Sequence, residues 1–217
     1  KFFQITYICR GYVDETDSVE YNENRLEGIM GKRNQYREMK KQLREWVEDE
    51  AWLINEEYIK DPLYYSCVKD IFENKAFQSM NQYIQHGSTT TRAHCIQVSY
   101  LAYRLALRFN LNFREAARGG LLHDLFLYDW HTHAKETGNR FHGLTHPRVA
   151  LNNAVKEFDL TDREKNIILR HMWPLTPVPP KYAEGFLVVY ADKYCGTAEV
   201  FLEWKKKLAI KFRLRQA

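Results

Sequence analysis

Apolar residues recur at helical spacing through most of the second half of the chain. Downstream of Gly87, His94, Val98, Leu101 and Leu105 share one stripe at i, i+4, i+7 and i+11, behind Thr90 and Thr91 as caps. A helix is expected from there to about Phe109, with Ile96 also facing inward. A second helix is expected over Phe113–Tyr128. A third is expected to open at Pro147, since proline suits the first helical position, and to run through Phe158. Thr161 and Glu164 form a capping-box pair that starts a helix stopped by Pro174. Beyond the Pro-rich 174–180 loop, Tyr182–Glu203 reads as a buried helix. The run Phe186–Ala191 would suit a buried strand on periodicity alone, but its helical neighbours argue against that. Asp61-Pro62 is a capped restart, followed by Leu63, Cys67 and Ile71 on one face. Upstream, the Gly- and Pro-free stretch from Lys32 to Tyr58 reads as one long helix, and residues 2–13 suit a short N-terminal β-hairpin. The fold class is all-α, organised as a mostly helical extension over 1–75, a helical core over 76–203 and a basic helix or tail over 204–217.

The chain has 217 residues, 45% of them hydrophobic and 14% aromatic, which is ample for a core and excludes disorder. The mean hydropathy is −0.56, and the longest apolar run, Gly185–Ala191, is far below the roughly 18 residues a membrane span needs. No membrane partner is expected. Cys9, Cys67, Cys95 and Cys195 form no C-x-x-C pair, and residues 1–30 lack a secretory signal pattern. Both observations suit a cytoplasmic location. Residues 1–85 hold 12 Lys/Arg against 16 Asp/Glu, and residues 86–217 hold 20 against 12. The basic half allows an anionic substrate. Nucleic acid is disfavoured because the basic tail carries few interleaved aromatics. The aromatic-rich N-terminal helices are a candidate homodimer contact.

All eight histidines lie between His86 and His171. His94 sits on the apolar stripe of its helix. His123-Asp124 follows Gly119-Gly120-Leu121-Leu122, where a buried carboxylate loses several kcal/mol of solvation unless it is paired or metal-bound. His146 lies just before Pro147, His171 ends the helix that starts at Thr161, and Asp192 stands in the apolar run Val188–Ala191. Imidazole and carboxylate donors in successive helices suit one or two divalent ions of Mn, Fe, Ni, Zn or Mg, with one carboxylate able to bridge.

The stretches Arg92-Ala93-His94-Cys95, Leu121-Leu122-His123-Asp124, Thr145-His146-Pro147, Arg170-His171-Met172 and Ala191-Asp192-Lys193 resemble the H…HD…H…H…D pattern of the HD-domain metal-dependent phosphohydrolase superfamily. The resemblance covers roughly residues 80–200. It implies an HD-domain-like helical bundle in which His94, His123, Asp124 and Asp192 hold a first metal, and His146 and His171 complete a second site bridged by Asp124. It also implies hydrolysis of a nucleotide or another small phosphate ester, as a phosphomonoesterase or phosphodiesterase, by metal-activated water, with Asp124 and His123 at the catalytic centre.

Many hydrolytic members follow the HD pair with Ile-Gly-Lys, and this chain has Leu125-Phe126-Leu127 instead. The phosphate-holding role then falls to Lys135, Arg140, Arg148 or Lys193, or to no residue at all. His86, His131, His133 and His142, with Trp130, are candidates for the pocket wall; Arg148, Lys193, Arg140 and His131 form the expected substrate-binding set. Two alternatives stand beside hydrolysis: a di-iron oxygenase on the same scaffold, and a non-catalytic sensor that binds a nucleotide or metal.

Overall fold

The computed structural model describes residues 60–138 and 141–213. The expected hairpin over 2–13, the helix over Lys32–Tyr58 and Arg140 lie outside the described residues. Asp61 accepts hydrogen bonds from the Leu63 and Tyr64 amides, and Pro62 fills the first helical position, so α1 (Pro62–Glu73) begins where expected. Asn74 caps the short α2 (Lys75–Ser79) in the same way. A 3-10 turn over Met80–Gln82 leads into a two-stranded antiparallel ribbon, β1 (Ile84–His86) and β2 (Thr89–Thr90). Gly87 turns the ribbon at φ +58°, a conformation that needs no Cβ. This ribbon was not expected, because five strand residues are too few to show an alternating pattern.

The remaining elements are α3 (Thr91–Arg108), α4 (Phe113–Leu122), α5 (Trp130–Thr137), α6 (His142–Glu157), α7 (Asp162–Arg170) and α8 (Ala183–Arg213). The architecture is therefore helical apart from the small ribbon. Thr161 and Glu164 form both halves of the capping box on α7. Phe186–Ala191 is helical, not a strand, and the basic segment continues α8 through Arg213. Among the described residues, Cys67, Cys95 and Cys195 are free thiols, and no helix is long and apolar enough to cross a membrane.

Three boundaries differ from expectation. α4 stops at Leu122 instead of Tyr128: His123 is its C-cap, and Leu127 takes the left-handed region at φ 53°. His123 and Asp124 thus lie in the turn after the helix, not within it. α6 starts at His142, with Pro147 inside it. Its first turn is nucleated by Phe141, whose carbonyl accepts from the amides of Leu144 and Thr145 and from the Thr145 hydroxyl. α8 is buried through Cys195, but Val200, Phe201, Leu202 and Trp204 beyond it are exposed.

The core centres on α4. Gly119 and Gly120 let two helices approach it on different sides. A Cβ at Gly120 would lie 2.9 Å from the Cα of Ser99 in α3, and one at Gly119 would lie 2.7 Å from the Ile167 side chain in α7. The contact is fixed by a buried relay in which the Tyr64 hydroxyl donates to Ser99 Oγ at 2.9 Å and Ser99 donates to the Ala117 carbonyl at 2.6 Å. Because the neighbour at Gly120 is backbone, Gly120→Ala must push α3 and α4 apart. It is expected to lower stability by about 1–3 kcal/mol, as measured by urea unfolding.

Candidate metal centre

Five helices and one interhelical turn deliver six side chains to one point. His94 comes from the first turn of α3, His123 and Asp124 from the end of α4, His146 from α6, His171 from the C-cap of α7 and Asp192 from α8. Asp192 Oδ1 lies 3.3 Å from His94 Nε2 and 3.8 Å from His123 Nε2. Asp124 Oδ2 lies 3.4 Å from His123 Nε2, and its Oδ1 is 3.2 Å from His146 Nε2 and 3.4 Å from His171 Nε2. Two triplets have donor atoms close enough to share an ion: His94 with His123 and Asp124, and Asp124 with His146 and His171. Asp124 belongs to both.

The far side of each ring explains why the near side is available. His123 Nδ1 lies 2.8 Å from the Gly120 carbonyl, and His171 Nδ1 lies 2.8 Å from the Ile168 carbonyl. Both are helix C-caps, so each ring satisfies a last-turn carbonyl that the helix leaves open. His146 Nδ1 is 2.8 Å from the His142 carbonyl. His94 Nδ1 is 3.0 Å from Glu199 Oε1, a carboxylate that is itself buried. A carbonyl or carboxylate oxygen can only accept, so each Nδ1 carries a hydrogen, and in its neutral form each ring turns an Nε2 lone pair to the centre.

That leaves acceptors facing acceptors. His146 Nε2 and His171 Nε2 are 2.8 Å apart with no proton left to share between them in the neutral tautomers. His123 Nε2 and Asp124 Oδ1 are buried without a hydrogen-bond partner. Converging lone pairs in a dry site repel unless a cation sits among them. Imidazole nitrogens with bridging carboxylates fit divalent transition ions. The charges respond in kind. Burial acts to raise the Asp124 carboxyl, but His123 and His146 outweigh it and hold it well below the usual carboxylate range. Burial likewise acts against ionised Asp192, and the bond to His94 with the charge of His123 brings it down to about 2. Burial would lower His94, yet Asp192 and Glu199 push it up to about 10, so with no cation its Nε2 holds a proton toward Asp192 Oδ1 at 3.3 Å that a bound ion would displace.

Four of the six, Asp124, His146, His171 and Asp192, line a cavity of about 950 Å³, and His94 and His123 are buried behind them. Of the expected substrate-binding set, Lys193 lines this cavity, with Nζ 3.9 Å from Asp192 Oδ2. His131 is exposed and paired with Asp129 at 3.1 Å, Arg148 is exposed on α6, and neither reaches the wall. Lys135 is also exposed. Trp130 and His86 do line the cavity, joined by His142, whose ring stacks between Trp130 and His146 at 5.4 and 4.6 Å. Burial, with the charge of His146, brings His142 down to about 4, so it is neutral at pH 7. Leu127, which stands at the lysine position of that pattern, is half-buried, and Leu125 and Phe126 before it are buried in the core.

Two neighbours of the centre were not anticipated. Gln85, on β1, donates from Nε2 to Asp124 Oδ2 at 2.8 Å and accepts from the Thr91 hydroxyl at 3.2 Å. Nothing in the sequence around Gln85 signals this, because the short ribbon brings it there. Glu199 was legible: it stands seven residues after Asp192, two helical turns along the same face of α8.

A helical fold that gathers His, His-Asp, His, His and Asp around one bridging carboxylate defines a class of metal-binding helical domains. Residues 91–196 match the family model for the HD domain, a span that contains all six residues and ends before Glu199. Residues 91–196 thus form an HD domain. A 66-residue stretch is 36% identical to a Bacillus subtilis (strain 168) protein named "Putative phosphohydrolase YueE", covering 30% of this chain and 34% of that protein. The chain therefore aligns with about a third of the length of that relative. No solved structure matches it significantly.

Proposed function

We propose that this chain is a metal-dependent phosphohydrolase that cleaves small phosphate esters, nucleotides among them, whether monoesters or diesters. The observation that supports this best is the convergence of four imidazole Nε2 atoms on Asp124 and Asp192, each ring fixed from behind at Nδ1. His94, His123, Asp124 and Asp192 would hold one ion, and Asp124, His146 and His171 a second. Divalent ions held there supply Lewis acidity toward a phosphoryl oxygen and toward water. Asp124 is the residue placed to orient the attacking water, its carboxylate steadied by the Gln85 amide, with His123 fixing the turn that carries it. Lys193 brings an ammonium to the cavity wall, where it offsets charge developing on the phosphoryl oxygens. His142 stays neutral, and Tyr128, whose hydroxyl is 3.0 Å from its Nδ1, fixes the ring.

Phosphate release from a panel of mono- and diesters tests this reading. Activity is expected with Mn²⁺ or a similar ion, lost on chelation and restored by adding the ion back. No release from any ester with any divalent ion would contradict it.

Glu199 extends the same account. Removing it frees His94 to rotate or to change tautomer, so Glu199→Ala is expected to weaken metal binding about 10- to 100-fold. Glu199→Gln keeps a hydrogen-bond acceptor and should lose less. Competition with a metal-indicator dye measures both.

A further inference from the structure

Beyond the His/Asp cluster, the cavity wall changes character. Val200, Phe201 and Trp204 line it from α8, and Met172 and Leu175 line it from the segment after α7. Phe201 and Trp204, three residues apart on one helical face, stack with ring centroids 5.9 Å apart and planes at 24°. They remain 46% and 55% exposed, and Val200 and Leu175 are 55% and 57% exposed. Contiguous apolar surface open to water on a cavity that also holds charged groups is the usual make-up of a ligand site. The cluster and this wall line one cavity, so a ligand held with one end at Asp124, His146 and His171 can lay its other end along the wall. Cationic groups are few there. Among the described residues, Lys193 is the single Lys or Arg lining the cavity, and it already faces Asp192; Lys205, outside the lining, holds its Nζ 4.5 Å from the Phe201 ring centroid. Two ammonium groups leave most of the charge of a second and third phosphoryl group unmatched against apolar side chains.

We propose that this wall is a subsite for the body of a phosphomonoester, an apolar ring-bearing group stacked on Phe201 and Trp204, with one phosphoryl group at the metal centre. The assignment rests on the reading that the centre cleaves phosphate esters. A volume of about 950 Å³ accommodates a drug-sized body as well as the phosphoryl end.

Calorimetric binding of benzylphosphonate and methylphosphonate to the Mn²⁺-loaded protein tests it, together with phosphate release from benzyl phosphate and methyl phosphate. The wild type is expected to bind benzylphosphonate about 10- to 100-fold more tightly than methylphosphonate. Both rings are exposed, so the double variant Phe201→Ser with Trp204→Ser should fold, bind methylphosphonate as the wild type does, and lose most of that ratio. Equal binding of the two phosphonates by the wild type, with both esters still cleaved, would overturn the subsite and leave the hydrolase reading intact. Failure to bind either phosphonate, with no ester cleaved, would overturn both. A benzyl diphosphate analogue bound ten times more tightly than benzylphosphonate would overturn the limit to one phosphoryl group. Sedimentation supplies a further check: a dimer that the double variant disperses, with the phosphonate ratio unchanged, would assign the face to a protein contact and overturn the subsite.

Discussion

Asp124→Ala is expected to lower kcat/KM for phosphate-ester hydrolysis by at least about a thousandfold and to strip the protein of bound metal. Asp124 is the one residue common to both candidate triplets, and its two oxygens face different partners. Oδ2 is near His123 and Oδ1 is near His146 and His171. Removing the carboxylate therefore takes a donor from both positions and leaves the His123, His146 and His171 rings without the anion they share. His146→Ala makes the contrast. It removes a donor from one triplet only, so that variant is expected to keep one ion, held by His94, His123, Asp124 and Asp192. Elemental analysis of the purified variants separates the cases. A fall to about one ion in His146→Ala beside none in Asp124→Ala would support the shared carboxylate; full metal content in Asp124→Ala would refute it.

Arg118→Met is expected to destabilise the fold by about 3–5 kcal/mol, read from the urea midpoint. Arg118 is buried between α1, α4 and α7. Its Nε donates to Glu164 Oε1 at 2.7 Å, and its Nη1 donates to Asp70 at 2.6 Å and to the Cys67 carbonyl at 3.2 Å. The Asp70 side chain is 55% exposed and can turn to water, but that of Glu164 is 3% exposed and cannot. Burial already pushes the Glu164 carboxyl up despite the guanidinium beside it. Without Arg118 the carboxyl must either take up a proton or remain as an uncompensated buried charge, and the Cys67 carbonyl loses a donor. Metal content per folded molecule should not change, because no atom of Arg118 reaches the centre.

The candidate ligands were legible because each broke a local rule. His94 interrupts an apolar stripe, Asp124 and Asp192 place carboxylates in dry surroundings, and such exceptions need a compensating partner. Their spacing, about one helix and one loop apart, let them be read as one set. Helix ends were harder. The start of α6 depends on the Phe141 carbonyl gathering three donors, so the sequence preference of Pro147 for a first turn misplaced it. The end of α4 depends on the His123 ring serving as a cap, which residue type alone does not announce. Gln85 could not be found from sequence, since it reaches Asp124 only through a five-residue ribbon. The apolar residues after Glu199 fitted a buried helix face by spacing, yet they are exposed where α8 runs beyond the core and along the cavity. Lys193 emerged as the cation at the wall, and Arg148 and His131 did not, because α6 and α5 turn those side chains to solvent.

The central claim is that the six side chains form a place for cations. Elemental metal content per chain, measured on protein purified without oxygen or chelators, tests it most directly. The account predicts two ions per chain. Protein that holds none, even after incubation with Mn²⁺ or Fe²⁺, would contradict it.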